Sequence, residues 1–252
     1  MILAVLLLAS GILTMKLVGD TDGVHADTTG DQNGASAPAN PSPEAYQSPS
    51  PTPVTPESRN PAPEVVEEGK GTWAYAKAPE PADTFGDSGT VLSYNVAVED
   101  GTHQDPDEFA DIVTDTLSDD RSWTAGGQWR FTPVREGYAD FTVFLASPRT
   151  RTQLCGAEDT YTSCRNGDSV VVNLERWLLS VPHWPEGIGT YRQYVVNHEV
   201  GHRLGEEHMV CPKKGSVSPV MAQQTFELRG CKANAWPYVD GDYITGPAGE
   251  YQ

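Results

Sequence analysis

The residues best suited to chemistry lie together in one stretch, His198 to His208, which reads H-E-x-x-H-x-x-G-x-x-H. Residues four apart on a helix lie one turn above each other on the same face, so His198 and His202 can direct two imidazoles at one point. Gly205 can adopt the left-handed conformation that ends a helix, after which the chain can turn back with His208. The spacing therefore predicts a site made of three histidines.

Three imidazoles around an open fourth position are typical of catalytic zinc, whereas structural zinc sites are closed and rich in cysteine. Glu199 can reach a water molecule on the metal without being a ligand, which is the position of a general base. We therefore predict one catalytic Zn²⁺ ion bound by His198, His202 and His208, with Glu199 as the catalytic residue. The alternatives are a non-catalytic binding module, a structural zinc domain, and an exposed helix end with scattered histidines.

A helix must present the first two histidines, and the local sequence predicts one from about Tyr191 to Leu204. Thr190 and Gln193 have the spacing of a capping box, in which two side chains satisfy the free N–H groups of the first turn. Gly205 follows the last predicted residue and indicates where the helix ends.

The sequence before this helix predicts a sheet and a second helix. Residues Thr90–Glu99 alternate between apolar and polar, which predicts a strand, and Asp105-Pro106 predicts the start of a helix. The nearly continuous apolar run Asp140–Ala146 is typical of a central strand. Further strands are predicted at 128–134, at 161–165 and 168–174 around an Asn166-Gly167 turn, and, as a short leading strand, at 71–78, with a short helix at 175–180.

Composition divides the chain into three parts. Residues 1–26 are largely apolar and are predicted to be a signal peptide or a membrane anchor. Residues 27–68 hold nine of the 20 prolines and few large apolar side chains. Such a segment cannot bury enough surface to offset its ordering entropy, so it is predicted to be a disordered stalk. Residues 69–252 form the predicted zinc-binding domain, whose length suits one core.

Four cysteines in an exported domain indicate two disulfides, and the sequence allows three pairings. Cys155–Cys164 and Cys211–Cys231 are favoured because each closes a local loop. The second bond would brace the segment that follows His208. A metal site that contains cysteine is the alternative, although the spacings are not those of a C-x-x-C motif.

The eleven-residue motif resembles that of the metzincin zinc peptidases, which it matches at the three histidines, Glu199 and Gly205. The resemblance implies an α+β fold with a mixed five-stranded sheet, a backing helix, an active-site helix and a small C-terminal subdomain. It also implies a methionine turn below the metal, for which Met221 is the candidate, 13 residues after His208. Some metzincins have a tyrosine two residues after this methionine, whereas this chain has Gln223.

The stretch 71–238 is also similar to an uncharacterised family of exported actinobacterial proteins. The similarity lies in the segments Arg121–Gly127, Tyr191–His202 and Asn234–Tyr238. It implies a secreted or anchored zincin-like domain and does not supply a substrate.

These patterns together predict a secreted or surface-anchored zinc endopeptidase, with 69–252 as its metallopeptidase-like domain. We expect a monomer at the cell surface or outside the cell, acting on a peptide or protein, with cell-wall peptides among the candidates. Gln223, Gln224 and Phe226 are candidates for its specificity pocket. The net charge of −18 argues against nucleic acid as a partner, because phosphates require lysine and arginine clusters. The alternative is a non-catalytic, zinc-containing module that binds peptides or proteins of the cell envelope.

Overall fold

A computed structural model describes residues 63–80 and 82–251. The predicted signal peptide or anchor and residues 27–62 of the predicted stalk lie outside the described residues. Where the described chain begins, it contacts the domain: Arg149 N donates to Glu67 O at 3.1 Å, and Gly69 N donates to Ser147 Oγ at 3.0 Å. None of the helices in the described ranges is long and apolar enough to cross a membrane.

The described residues form a six-stranded sheet, four α-helices, one short 3₁₀ helix and a two-stranded hairpin. In chain order the elements are β1 (Trp73–Tyr75), β2 (Thr90–Glu99), α1 (Pro106–Ser118), the 3₁₀ helix Trp123–Gly126, β3 (Trp129–Pro133), β4 (Phe141–Ala146), α2 (Pro148–Cys155), β5 (Cys164–Asn166), β6 (Ser169–Asn173), α3 (Leu174–Leu179), α4 (Ile188–Leu204), β7 (Tyr238–Val239) and β8 (Asp242–Tyr243). The predicted α+β class is confirmed.

The sheet is mixed, with a parallel centre. β4 lies between β2 and β6 and is parallel to both, which agrees with the nearly continuous apolar sequence of a central strand. β5 pairs antiparallel with β6 and forms an edge. The sheet has one strand more than the expected five, because β1 and β3 share one edge of β2. The carbonyls of Tyr94 and Val96 both point to that edge and accept from Val134 N and Ala76 N.

The hairpin of β5 and β6 differs from the prediction by one residue. Asn166 pairs with Ser169, so the two central residues of the turn are Gly167 and Asp168. Gly167 has a φ of 59°, which glycine adopts without steric cost. β5 also begins later than predicted, because the Asp159 carboxylate accepts hydrogen bonds from Tyr161 N and Thr162 N and folds these residues into a turn.

Helices α1 and α4 contact each other on one face of the sheet, α1 over β2 and α4 over β6. α1 begins as predicted, because the Asp105 side chain accepts hydrogen bonds from Asp107 N and Glu108 N. α1 is thus the backing helix, and α4 carries the histidine motif.

The predicted capping box of α4 is wrong. The helix begins at Ile188, with Gly187 as its N-cap and no side chain capping it. Thr190 Oγ1 donates to Gly187 O and accepts from Trp184 Nε1, both within 3.0 Å. Because the helix begins two residues before Thr190, this hydroxyl lies in the first turn and not at the N-cap.

Helix α2 lies between β4 and β5, and no sequence pattern predicts it. It starts with a proline in its first turn, but its sequence has no apolar stripe at helical spacing. A disulfide joins its last residue, Cys155, to Cys164 at the start of β5, and a second one joins Cys211 to Cys231. Both favoured pairings are confirmed, and two disulfides are typical of an oxidising environment.

Candidate metal centre

Helix α4 presents His198, Glu199 and His202 at its C-terminal end. It ends as predicted at Gly205, which has a φ of 97° and donates its N–H to His202 O at 3.2 Å. Glu206 N donates to Gly201 O at 2.9 Å, which completes the helix end. The chain then reverses.

The three predicted ligands come together. One possible ligand nitrogen from each of His198, His202 and His208 lies within 4.8 Å of the other two. The Nε2 atoms of His202 and His208 are 3.0 Å apart. His198 is buried, and the other two are half-buried and line a cleft. The structure therefore contains a three-histidine group that could hold a metal ion.

Each imidazole of this group has its Nδ1 atom close to an oxygen that can only accept. The pairs are His198 with the Val220 carbonyl (2.8 Å), His202 with the Glu206 carbonyl (2.8 Å) and His208 with Glu250 Oε1 (3.3 Å). We therefore assign the ring protons to Nδ1, which leaves the three Nε2 lone pairs free to bind a metal. Three neutral nitrogen donors with outer hydrogen bonds fit Zn²⁺.

Glu199 is buried, with 5% of its surface exposed, and it lines the cleft beside the histidines. Burial raises the pKa of its carboxyl to about 8, against smaller opposing effects of Arg151 and Arg165. Burial also lowers the pKa of both His198 and His202, which favours the neutral rings that a metal requires. A bound dication would favour the ionised carboxylate and so oppose the effect of burial on Glu199.

Asn197 fixes the part of α4 that carries the motif. Its Nδ2 donates to Ala235 O at 2.9 Å, and its Oδ1 accepts from the Ser122 hydroxyl at 2.8 Å. The Trp123 ring donates from Nε1 to Asn197 O at 2.9 Å. The segments Arg121–Gly127, Tyr191–His202 and Asn234–Tyr238 thus meet at one buried residue.

The turn that contains Met221 lies directly behind the histidines. Met221 is 1% exposed, and Val220 before it supplies the carbonyl that binds His198. The Tyr194 hydroxyl donates to Ala222 O at 3.0 Å and accepts from Gln224 N at 2.8 Å, which ties the turn to α4. These contacts hold the turn that contains Met221 against α4, and its role as a methionine turn stays a prediction.

Gly201 is a site residue that sequence reasoning does not single out. A Cβ atom at this position would lie 2.4 Å from Met221 Sδ and 2.6 Å from Trp123 Cζ2. Only glycine therefore allows α4 to approach the turn this closely. The one signal in the sequence is a glycine in the middle of a predicted helix, where alanine is more favourable.

A cleft of about 500 Å³ opens over the site. Besides the histidines and Glu199, it is lined by Arg151 from α2 and Arg165 from β5. Gln223 and Phe226 also line it, and their role in a specificity pocket stays a prediction. Sequence analysis does not single out Arg151, because no sequence pattern predicts helix α2, which carries it. The cleft thus places two arginines beside the buried carboxylate.

Gln224 does not belong to this cleft. It is fully buried, and its Nε2 donates to Asn234 O at 2.8 Å while its Oε1 accepts from Asn234 N at 3.0 Å. Its role is to hold the segment after Met221 against the segment that begins at Asn234. The prediction that it lines the specificity pocket is wrong, because the amide satisfies backbone groups in the interior.

Comparison with known proteins gives a family and no function. No curated protein and no solved structure matches the chain. Residues 60–235 match the family described as "Protein of unknown function (DUF3152)", a span that includes the sheet, the three histidines and both disulfides. The hairpin of β7 and β8 and the segment 244–251 lie outside the matched residues. The match covers more than half of the length of the chain, so the chain belongs to the DUF3152 family.

Proposed function

We propose that this protein is an exported, zinc-dependent endopeptidase of metzincin type. One observation carries the proposal: three imidazoles each place a ring nitrogen within 4.8 Å of the other two, and a buried carboxylate, Glu199, lies beside them in the same cleft. A purely structural metal site does not need a buried carboxylate next to its ligands. A catalytic site does, because peptide hydrolysis requires a base for the attacking water.

In this proposal His198, His202 and His208 hold the metal. Bound zinc supplies a Lewis acid that lowers the pKa of water and polarises the scissile carbonyl. Glu199 accepts a proton from the attacking water and passes it to the leaving nitrogen. Its burial excludes bulk water, so the carboxylate has few competing partners. The outer hydrogen bonds to Nδ1 keep the rings oriented throughout.

The edge strand β5 supports a peptide as the substrate. In the described ranges β5 pairs only with β6, so its second edge is open to an added strand. Cys164 and Arg165 of β5 line the cleft. An extended peptide would therefore bind by backbone hydrogen bonds, with Gln223 and Phe226 contacting its side chains.

The two disulfides support an exported protein, because such bonds persist in oxidising compartments. They brace both sides of the cleft. Cys155–Cys164 joins α2 to β5, and Cys211–Cys231 tethers the segment that follows His208. The proposed location is the cell surface or the extracellular space, where peptides and cell-wall peptides are accessible.

The test is cleavage of a diverse peptide library by the oxidised, zinc-loaded full chain, compared with Glu199→Gln. We expect cuts by the wild type and none by the variant, with zinc bound equally by both. Glu207→Gln is the matched control, because Glu207 is an exposed carboxylate of the same motif, and it should cut normally. The proposal is wrong if the zinc-loaded wild type cuts nothing, or if Glu199→Gln still cuts.

A further inference from the structure

The segment 244–251 runs antiparallel to the segment that carries His208. Val210 N donates to Pro247 O at 2.8 Å, and Gly249 N donates to His208 O at 3.1 Å. Met209 and Ala248 form an antiparallel bridge between these two bonds. The segment therefore pairs with the chain beside the third histidine through one antiparallel bridge and the two hydrogen bonds around it.

Tyr251 anchors the far end of this segment. It is 5% exposed, and its hydroxyl accepts from Cys211 N at 2.9 Å. Its backbone N–H donates to Gln223 Oε1 at 2.7 Å, and the Arg229 guanidinium lies 4.7 Å from its ring. These contacts join the segment to the chain on both sides of the methionine turn and to a residue that lines the cleft.

Gly246 shows how closely the two segments approach. A Cβ atom there would lie 2.3 Å from Val210 O and 2.9 Å from Pro219 Cγ. Close backbone approach, paired hydrogen bonds and a buried anchor together describe a docked element and not a loose tail. Any side chain of this segment that lies next to the site therefore has a defined position.

Glu250 lies between the last paired residue and the anchor, and its Oε1 is 3.3 Å from Nδ1 of His208. The other two histidines use backbone carbonyls for this contact. His208 thus differs from them in having a side chain as its outer partner. We propose that segment 244–251 is part of the metal centre, and that Glu250 is the positioning residue that keeps Nε2 of His208 directed at the metal.

This inference rests on the proposed zinc site but not on peptidase activity. Removing an outer partner of a metal ligand typically weakens metal binding 10–100-fold. The Glu250 side chain is 71% exposed, so solvent screens its charge and we expect an effect of about tenfold, at the lower end of that range. The effect should come from orientation as well as from charge, because the carboxylate also selects the ring tautomer.

The experiment measures the zinc Kd of the oxidised full chain by competition with a chelator. Glu250→Ala should weaken zinc binding about tenfold. Glu250→Gln should stay close to the wild type, because its amide oxygen can still accept from Nδ1. Glu207→Ala is the matched control: it removes an equal charge from the motif, and it should change the Kd far less. Nitrogen NMR of the ring in the zinc-free chain should show His208 with its proton on Nδ1 in the wild type and a mixture of tautomers in Glu250→Ala.

Deleting residues 244–252 should weaken zinc binding more than Glu250→Ala does, and urea unfolding of the zinc-free variant shows whether the domain still folds. The inference is wrong if Glu250→Ala leaves the Kd unchanged, or if Glu207→Ala weakens binding as much. A wild type that binds no zinc overturns both the inference and the proposed function. A wild type that binds zinc but cuts no peptide overturns the proposed function alone.

Discussion

Replacing Gly201 by alanine tests the contact between α4 and the methionine turn. Gly201 lies in the helix between the first two histidines, and its α-carbon faces the turn. An added methyl group would meet Met221 Sδ at 2.4 Å and Trp123 Cζ2 at 2.6 Å. Both distances are far below van der Waals contact, so the helix, the turn or both must move.

The magnitude follows from two opposing terms. Alanine in a helix interior is about 1 kcal/mol more favourable than glycine. Adding a methyl group to a well-packed core typically costs about 1–3 kcal/mol. The flexible Met221 thioether can adjust, but the Trp123 ring is held by its hydrogen bond to Asn197 O. The difference between the two terms is a net loss of about 0–2 kcal/mol in the free energy of unfolding. Because the Trp123 ring is fixed, we expect the upper half of this range, about 1–2 kcal/mol.

The assay is urea unfolding of the zinc-free full chain with both disulfides formed. Gly189→Ala is the matched control, because this glycine is in the same helix and has no atom within 4 Å of an added Cβ. It should be equally stable or more stable than the wild type, by up to about 1 kcal/mol. In a Met221→Ala background the cost of Gly201→Ala should fall, since the nearest contact is gone. The reasoning is refuted if Gly201→Ala is as stable as the wild type.

Two further predictions concern the metal and the second disulfide. Zinc at about 100 times its Kd should raise the free energy of unfolding of the wild type by about 2.7 kcal/mol. His202→Ala should lose this gain, and urea unfolding with and without a chelator measures it; a gain equal to that of the wild type would contradict the ligand assignment. Replacing Cys211 and Cys231 by serine opens a link across 20 residues and should cost about 3 kcal/mol. It should also weaken zinc binding, because the segment after His208 loses a tether; an unchanged unfolding midpoint would argue against this role.

Local patterns were enough for the features that depend on neighbours in sequence. The spacing of His198 and His202 places them on one helix face, and Gly205 ends that helix, because both follow from helix geometry alone. The Asp105 cap and the central position of β4 follow in the same way from a capping side chain and a continuous apolar run. The disulfide pairing also follows from short separations along the chain.

Tertiary contacts decided the rest of the site. The acceptor for His198 comes from Val220, 22 residues away, and the acceptor for His208 comes from Glu250, 42 residues away. No local pattern specifies such partners, since they depend on how the turn and the segment 244–251 pack. Trp184 likewise donates to the Thr190 hydroxyl, which lies in the first turn of α4 and not at its predicted N-cap position. The three-histidine group is therefore a property of local spacing, whereas the orientation of its rings and the shape of the cleft come from packing between distant segments.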